Sequence, residues 1–237
     1  DRSVSRGLGD VYKRQSRRRE RIIEQKIYNR LLNKPMVEYL AQDATTLPIA
    51  YSRLISLFRN TTQAFPFDGN RVETYTSGAS MLQSLLRELA KARQHIHIEF
   101  YIFEDDAVGR LVRDVLIGKA RAGVEVRVIY DDAGCLSLLP HNYAEMMRAD
   151  GIRAFSFNRC VPVLNLVMNN RDHRKIMVID GQIAFTGGVN LADEYINKIV
   201  RFGYWKDSGV RLDGPGAASL ATVSYTHLRA HETLSDL

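Results

Sequence analysis

His173-Arg174-Lys175, with Asp180 five residues past the lysine and Gly187-Gly188-Val189-Asn190 beyond it, places an imidazole, an ammonium and a carboxamide in one short segment. Those groups suit phosphodiester chemistry. A neutral imidazole near pH 7 can attack phosphorus, and a second imidazole can protonate the leaving oxygen. Lys175 and Asn190 would donate to the nonbridging oxygens, where charge builds in the transition state. The scheme calls for no metal and no cofactor. A lone histidine in a strand is more often structural, and His-x-Lys alone recurs by chance. The reading rests on the full spacing.

The segment HRKIMVIDGQIAFTGG holds two β-branched and aromatic runs around Asp180-Gly181. Asp-Gly is a preferred two-residue hairpin turn, so the spacing predicts two antiparallel strands. Strand side chains alternate with period two, which puts His173 and Lys175 on one face, within reach of one phosphate. Asp180 has the opposite parity and is expected to anchor the turn or a neighbouring donor.

Upstream, Ser80 to Arg93 carries Leu82, Leu85, Leu86 and Leu89 on one helical stripe, and His95 to Phe103 reads as a strand. His95, His97, Glu99 and Tyr101 share parity in that strand. A helix from Val108 to Arg121, stopped by Ala122-Gly123, leads to a strand from Val124 to Tyr130. Tyr143 to Ala149 reads as a short helix and Ile152 to Phe157 as a further strand. The alternation predicts an α/β fold with a mixed β-sheet flanked by helices, preceded by a helical N-terminal segment. That segment, residues 16–69, comprises a basic amphipathic helix within Ser16 to Gln42, a helix from Pro48 to Thr61, and a link through Phe65 to Asn70. Its Arg17 to Arg21 run suits either an anionic membrane surface or a solvated linker. The apolar run Val161 to Met168 contains Pro162, which argues against a central strand. It is expected to form a loop or short helix at the mouth of the site, or to pack in the core.

Of the 237 residues, 45% are hydrophobic and 25% charged, the balance of an ordinary folded domain. The formal net charge of +6 favours an anionic partner without separating lipid headgroups from nucleic acid. Cys135 and Cys160 are the only cysteines, too few for a disulfide framework and without metal-site spacing. No run of about 18 apolar residues offers a membrane span.

His173, Lys175 and Asp180 match the H-x-K-x-x-x-x-D signature of the phospholipase D superfamily, and Gly187, Gly188 and Asn190 match its downstream glycine-rich motif. Within that superfamily the words NNRDHRKIMVIDGQIAFTGGVNLADEY, RFGYWKDSGVRLDGPG, HIHIEFYIFEDDAVG and GVEVRVIYDDAG resemble bacterial cardiolipin synthases, covering most of residues 70 to 221. The resemblance implies a phospholipase D-like catalytic half-domain with His173, Lys175 and Asp180 as catalytic residues and Lys175 and Asn190 binding phosphate. It implies phosphatidyl transfer, with two phosphatidylglycerol molecules giving cardiolipin and glycerol through a phosphohistidine. Relatives place an acidic partner near Asp207, which makes it a candidate to orient the nucleophile; Asp193, Glu194 and Glu99 compete for that role. The implied location is the cytoplasmic face of a bacterial inner membrane, with transmembrane helices upstream and no nucleic acid partner.

Such enzymes carry two copies of the motif around one active site, whereas only one of the six histidines here has a lysine two residues on. A missing second half, or a second copy of the chain, is therefore expected to complete the centre. Residues 5–15, SRGLGDVYKRQ, and 223–232, VSYTHLRAHE, read as translations of the two strands of one sequencing-library transposon adapter. Residues 1–15 and 222–237 are expected to be adapter or its flanks. Two alternatives stay open: a homodimeric phosphodiesterase or nuclease, and a catalytically silent lipid-binding piece.

Overall fold

In the computed structural model, which describes residues 49–62, 67–160 and 171–224, the predicted alternation becomes one seven-stranded sheet. Its order is β1-β7-β6-β5-β2-β3-β4. The strands are β1 (Arg71–Tyr75), β2 (His95–Phe100), β3 (Glu125–Asp131), β4 (Arg153–Phe157), β5 (Lys175–Ile179), β6 (Ile183–Gly187) and β7 (Gly209–Asp213). Strands β2, β3 and β4 run parallel, joined by helical crossovers, and the other pairings are antiparallel. The mixed sheet agrees with the expected class.

Helix α1 (Ile49–Thr62) belongs to a separate unit, and the sheet and its helices form a second one, Asp68–Ser224. In that second unit α2 (Gly78–Lys91), α3 (Ala107–Arg121), the short α4 (Asp132–Cys135) and α5 (Tyr143–Ala149) follow in chain order. Residues 217–224 form a last helix, α6. Residues 222–224, expected to be tail, continue α6, and Ser224 is fully buried. The basic helix expected within residues 16–42 and the apolar run 161–168 lie outside the described residues.

Period two divides the sheet chemically. Ile96, Ile98 and Phe100 of β2, Val126 and Val128 of β3, and Met177 and Ile179 of β5 bury against Leu85 and Leu89 of α2 and Val112 and Leu116 of α3. A smaller cluster on the opposite face joins Ile176, Val178 and Ala184 to Ala217 and Ala221 of α6. Each fully buried aliphatic side chain contributes about 1.5–3 kcal/mol, so the α2/α3 face carries most of the stability. Asp106 opens α3 by accepting from the Gly109 N–H at 2.9 Å. Gly123, at φ +88°, closes it as the spacing predicted.

The second sheet face also buries His97, whose ring centroid lies 5.0 Å from that of His95. Burial first, then His95 and Arg127, push the His97 pKa down to about 3. A histidine kept neutral in the fold but titrating normally when unfolded costs no stability above about pH 6.5 and progressively more below it. The loss has an upper bound of about 5 kcal/mol by pH 3. His97→Gln should flatten the decline of the denaturant midpoint between pH 6.5 and 4 relative to the unaltered chain; parallel curves would contradict this.

Candidate active site

Four strand ends meet at one edge of the sheet. Phe100 pairs with Lys175, Ile176 with Thr186, and Gly187 with Gly209, so the residues just after β2 and β6 and just before β5 and β7 converge. They surround an open pocket of about 510 Å³ lined by His173, Lys175, Asn190 and Asp207 with Tyr101 and Trp205. Of the residues named from the sequence as the site, these four come together.

His173 and Lys175 project together as their spacing predicted, although β5 formally begins at Lys175. The Tyr101 N–H donates to the Arg174 carbonyl at 3.0 Å and carries the ladder one step further. The His173 ring packs on Tyr101 with centroids 4.6 Å apart, and the Lys175 ammonium lies 5.2 Å from the same ring. Lys175 Nζ also donates to the His173 carbonyl at 3.0 Å. Burial lowers the Lys175 pKa, while the charges of Asp207 and Asp172 oppose that shift. Asp172 is itself fixed, its N–H donating to the buried Asp131 carboxylate at 2.9 Å. That carboxylate also accepts from the Ala133 and Gly134 N–H groups at the start of α4. The backbone leading into His173 is thus held by a helix cap.

Asn190 is buried, and its Oδ1 accepts from the Ile102 N–H at 3.0 Å. This ties the chain after β6 to the chain after β2. Tyr195, on a 3₁₀ turn over Asp193–Ile196, lines the pocket with Asn190 and packs edge-on against Trp205 at 4.6 Å.

The four candidate carboxylates separate clearly. Asp193 accepts from the Val108 N–H and pairs with Lys198 at 2.9 Å, and Glu194 pairs with Arg201 at 3.4 Å. Glu99 lies on the opposite sheet face, fully buried, with Arg174 at 3.5 Å. Only Asp207 lines the pocket. Its carboxylate accepts from Trp205 Nε1 at 3.3 Å and from its own neighbour Ser208 N–H at 2.7 Å. Among the described residues it makes no hydrogen bond to His173, and its charge bears on Lys175. In this geometry the Asp207 carboxylate is a counter-charge to the Lys175 ammonium.

Asp180, grouped with the catalytic residues from the motif, sits at the far end of β5, about 17 Å along the strand from Lys175 at 3.3 Å per residue. Its carboxylate accepts from the N–H groups of Arg93 (2.9 Å), Gln94 (2.8 Å) and His95 (2.9 Å). It does not line the pocket, and its hold on the backbone before β2 is in line with its strand parity. Asp180 and Gly181 take left-handed φ values of 52° and 67° in the turn. Gln182 adds one residue before pairing resumes, with Ile179 opposite Ile183.

Sequence reasoning gave no site role to Tyr101, Tyr195 or Trp205, because aromatic residues in apolar runs read first as core. It did not explain the paired glycines either. A Cβ on Gly188 would lie 2.0 Å from Asp207 Oδ1, and one on Gly187 would lie 2.4 Å from the Ser208 carbonyl. Two bare positions let β6 and the Asp207 segment approach. Gly188→Ala should displace Asp207 by about 1 Å or more and lower turnover by about 10²-fold, with a thermal midpoint a few degrees lower at most. Unchanged turnover would remove Asp207 from the reactive geometry.

A family model described as cardiolipin synthase, PLD-like domain, matches residues 85–200. The chain is 37% identical over 171 residues to the major cardiolipin synthase ClsA of Bacillus subtilis, covering 71% of this chain and 36% of that protein. It is 36% identical over 172 residues to a cardiolipin synthase of Staphylococcus aureus, covering 73% of this chain and 35% of that one. The chain therefore spans little more than a third of the length of these curated relatives. The crystal structure of Nuc, a phospholipase D family member from Salmonella typhimurium, shares the fold at TM-score 0.50 and 18% identity, over 68% of this chain and 95% of that one. With the His173 signature, the family match and these identities, the chain belongs to the phospholipase D superfamily, in the family of cardiolipin synthase PLD-like domains.

Proposed function

We propose that this chain is one catalytic half of a phosphatidyltransferase that makes cardiolipin from two phosphatidylglycerol molecules. The observation that carries the reading is the pocket itself, where an exposed imidazole, His173, shares one opening with Lys175, Asn190 and Asp207. A His173 ring nitrogen attacks the phosphorus of phosphatidylglycerol. The phosphorus–oxygen bond to the glycerol headgroup breaks, and glycerol leaves with a proton from a general acid. The hydroxyl of a second phosphatidylglycerol then gives its proton to that same group and attacks phosphorus, the phosphorus–nitrogen bond breaks, and His173 is regenerated. Lys175 and Asn190 hold the nonbridging oxygens through both steps. The general acid is a second imidazole, from a second half-domain or a second copy of the chain.

The reading places the site at a membrane face, since both substrates reside in a bilayer. The test supplies phosphatidylglycerol in mixed micelles to the full-length protein, with both catalytic halves present, and counts cardiolipin and glycerol formed, with single- and double-stranded DNA as the competing phosphodiester. Equimolar cardiolipin and glycerol without DNA cleavage is the expected result. DNA cleavage without lipid turnover would transfer the assignment to a nuclease, and no reaction with either would leave a silent lipid-binding piece.

A further inference from the structure

A loop beside the pocket presents its apolar side chains outward. Val200, Phe202 and Tyr204 are 73%, 78% and 78% exposed, more than any other large apolar residue among those described. The loop is built rather than frayed. Asn197, in the left-handed region at φ 59°, donates from its side chain to the Trp205 carbonyl at 2.9 Å and accepts from the Trp205 N–H at 2.6 Å. Both ends are thereby clamped together, as in a compact surface loop. Arg201 anchors one side through Glu104 at 3.5 Å and Glu194 at 3.4 Å, and Gly203, at φ +94°, turns the tip. From Lys198 to Lys206 the segment reads KIVRFGYWK, with three cations and no acid. It then enters the pocket through Trp205 and Asp207.

We propose that residues 198–206 form a bilayer-docking loop, in which Val200, Phe202 and Tyr204 enter the interface of an anionic phospholipid membrane and the exposed Lys206 meets the phosphates. Two observations favour a lipid surface as the occupant. Lys206 is exposed beside the apolar tips and complements anionic headgroups, and the aromatic and aliphatic tips suit the headgroup boundary, where amphipathic rings settle. The loop is also continuous with the wall of the pocket, so a bilayer held here is held next to His173. This rests on the proposed lipid substrate, but its test is read on binding alone.

Trp205 is the only tryptophan, so its emission reports on the loop directly. The full chain is titrated with vesicles of phosphatidylglycerol and phosphatidylcholine in equal parts, and with phosphatidylcholine alone. Expected are a blue shift and brominated-lipid quenching with the anionic vesicles, and binding weakened several-fold by 0.5 M salt. The triple variant V200S/F202S/Y204S should lose at least tenfold in vesicle binding while its thermal midpoint stays within a few degrees. Vesicle binding by the triple variant equal to that of the unaltered chain would overturn the proposal. So would a dimer in solution that the triple variant alone converts to monomer, since the occupant would then be a second copy. Undiminished vesicle binding without any phosphatidylglycerol turnover would leave the loop standing and remove the assigned chemistry.

Discussion

His173→Ala is expected to abolish phosphatidyl transfer, lowering it by about 10⁴-fold or more, and to leave the fold almost untouched. The magnitude follows from the ring's role as the attacking atom: without it neither half-reaction has a nucleophile, and the remaining donors stabilise a transition state that is not reached. The small structural effect follows from position. His173 is exposed at the pocket rim and its closest packing partner is one face of Tyr101, so the stability change should stay within about 0.5 kcal/mol. Labelled phosphatidylglycerol quenched in base should leave a protein-bound label that is stable to alkali and released by acid, as a phosphohistidine is. Alanine at 173 should remove that label entirely. A label that persists in the variant, or turnover within tenfold of the unaltered chain, would place the nucleophile elsewhere and with it the whole assignment of the pocket.

Most of the fold was readable because its central strands and helices carry a strong period. Leu85, Leu89, Val112 and Leu116 mark the buried stripes of α2 and α3, and the valine- and isoleucine-rich β3 and β5 are buried on both faces. Strands β1 and β7 gave no such signal. In β1 only Tyr75 is buried, because the strand lies at the sheet edge, and in β7 only Gly209 is, a residue without a side chain to mark a face. Their pairing is legible only once β6 supplies a partner. At the site, His173 and Lys175 could be read as neighbours because two residues on a strand always share a face. Asn190 and Asp207 reach the pocket from other strand ends, and only the antiparallel register of β5, β6 and β7 brings them there. Tyr101, which packs beside both His173 and Lys175, was visible only as a strand residue sharing parity with His95, His97 and Glu99.

Asp180 shows how a motif residue can matter without entering the pocket. Asp180→Ala is expected to destabilise the chain by about 2–4 kcal/mol, because three backbone N–H groups lose a charged acceptor at once; each such bond is worth about 1–3 kcal/mol, discounted here since the Arg93 and Gln94 positions are open to water. Burial alone would raise the Asp180 pKa, but the N–H groups of Gln94, His95 and Arg93 outweigh it and lower it. The stabilisation is therefore present above the ordinary carboxylate range and disappears as pH falls through the depressed value, so the difference between variant and unaltered chain should close only in strong acid. Asp180→Asn keeps one acceptor oxygen and should recover part of the loss. Turnover should fall only through disorder at the start of β2 and the end of β5, and lowering the temperature should restore most of it. A variant that keeps its full thermal midpoint while losing all turnover would return Asp180 to the catalytic set and contradict the placement of its carboxylate against the β2 backbone.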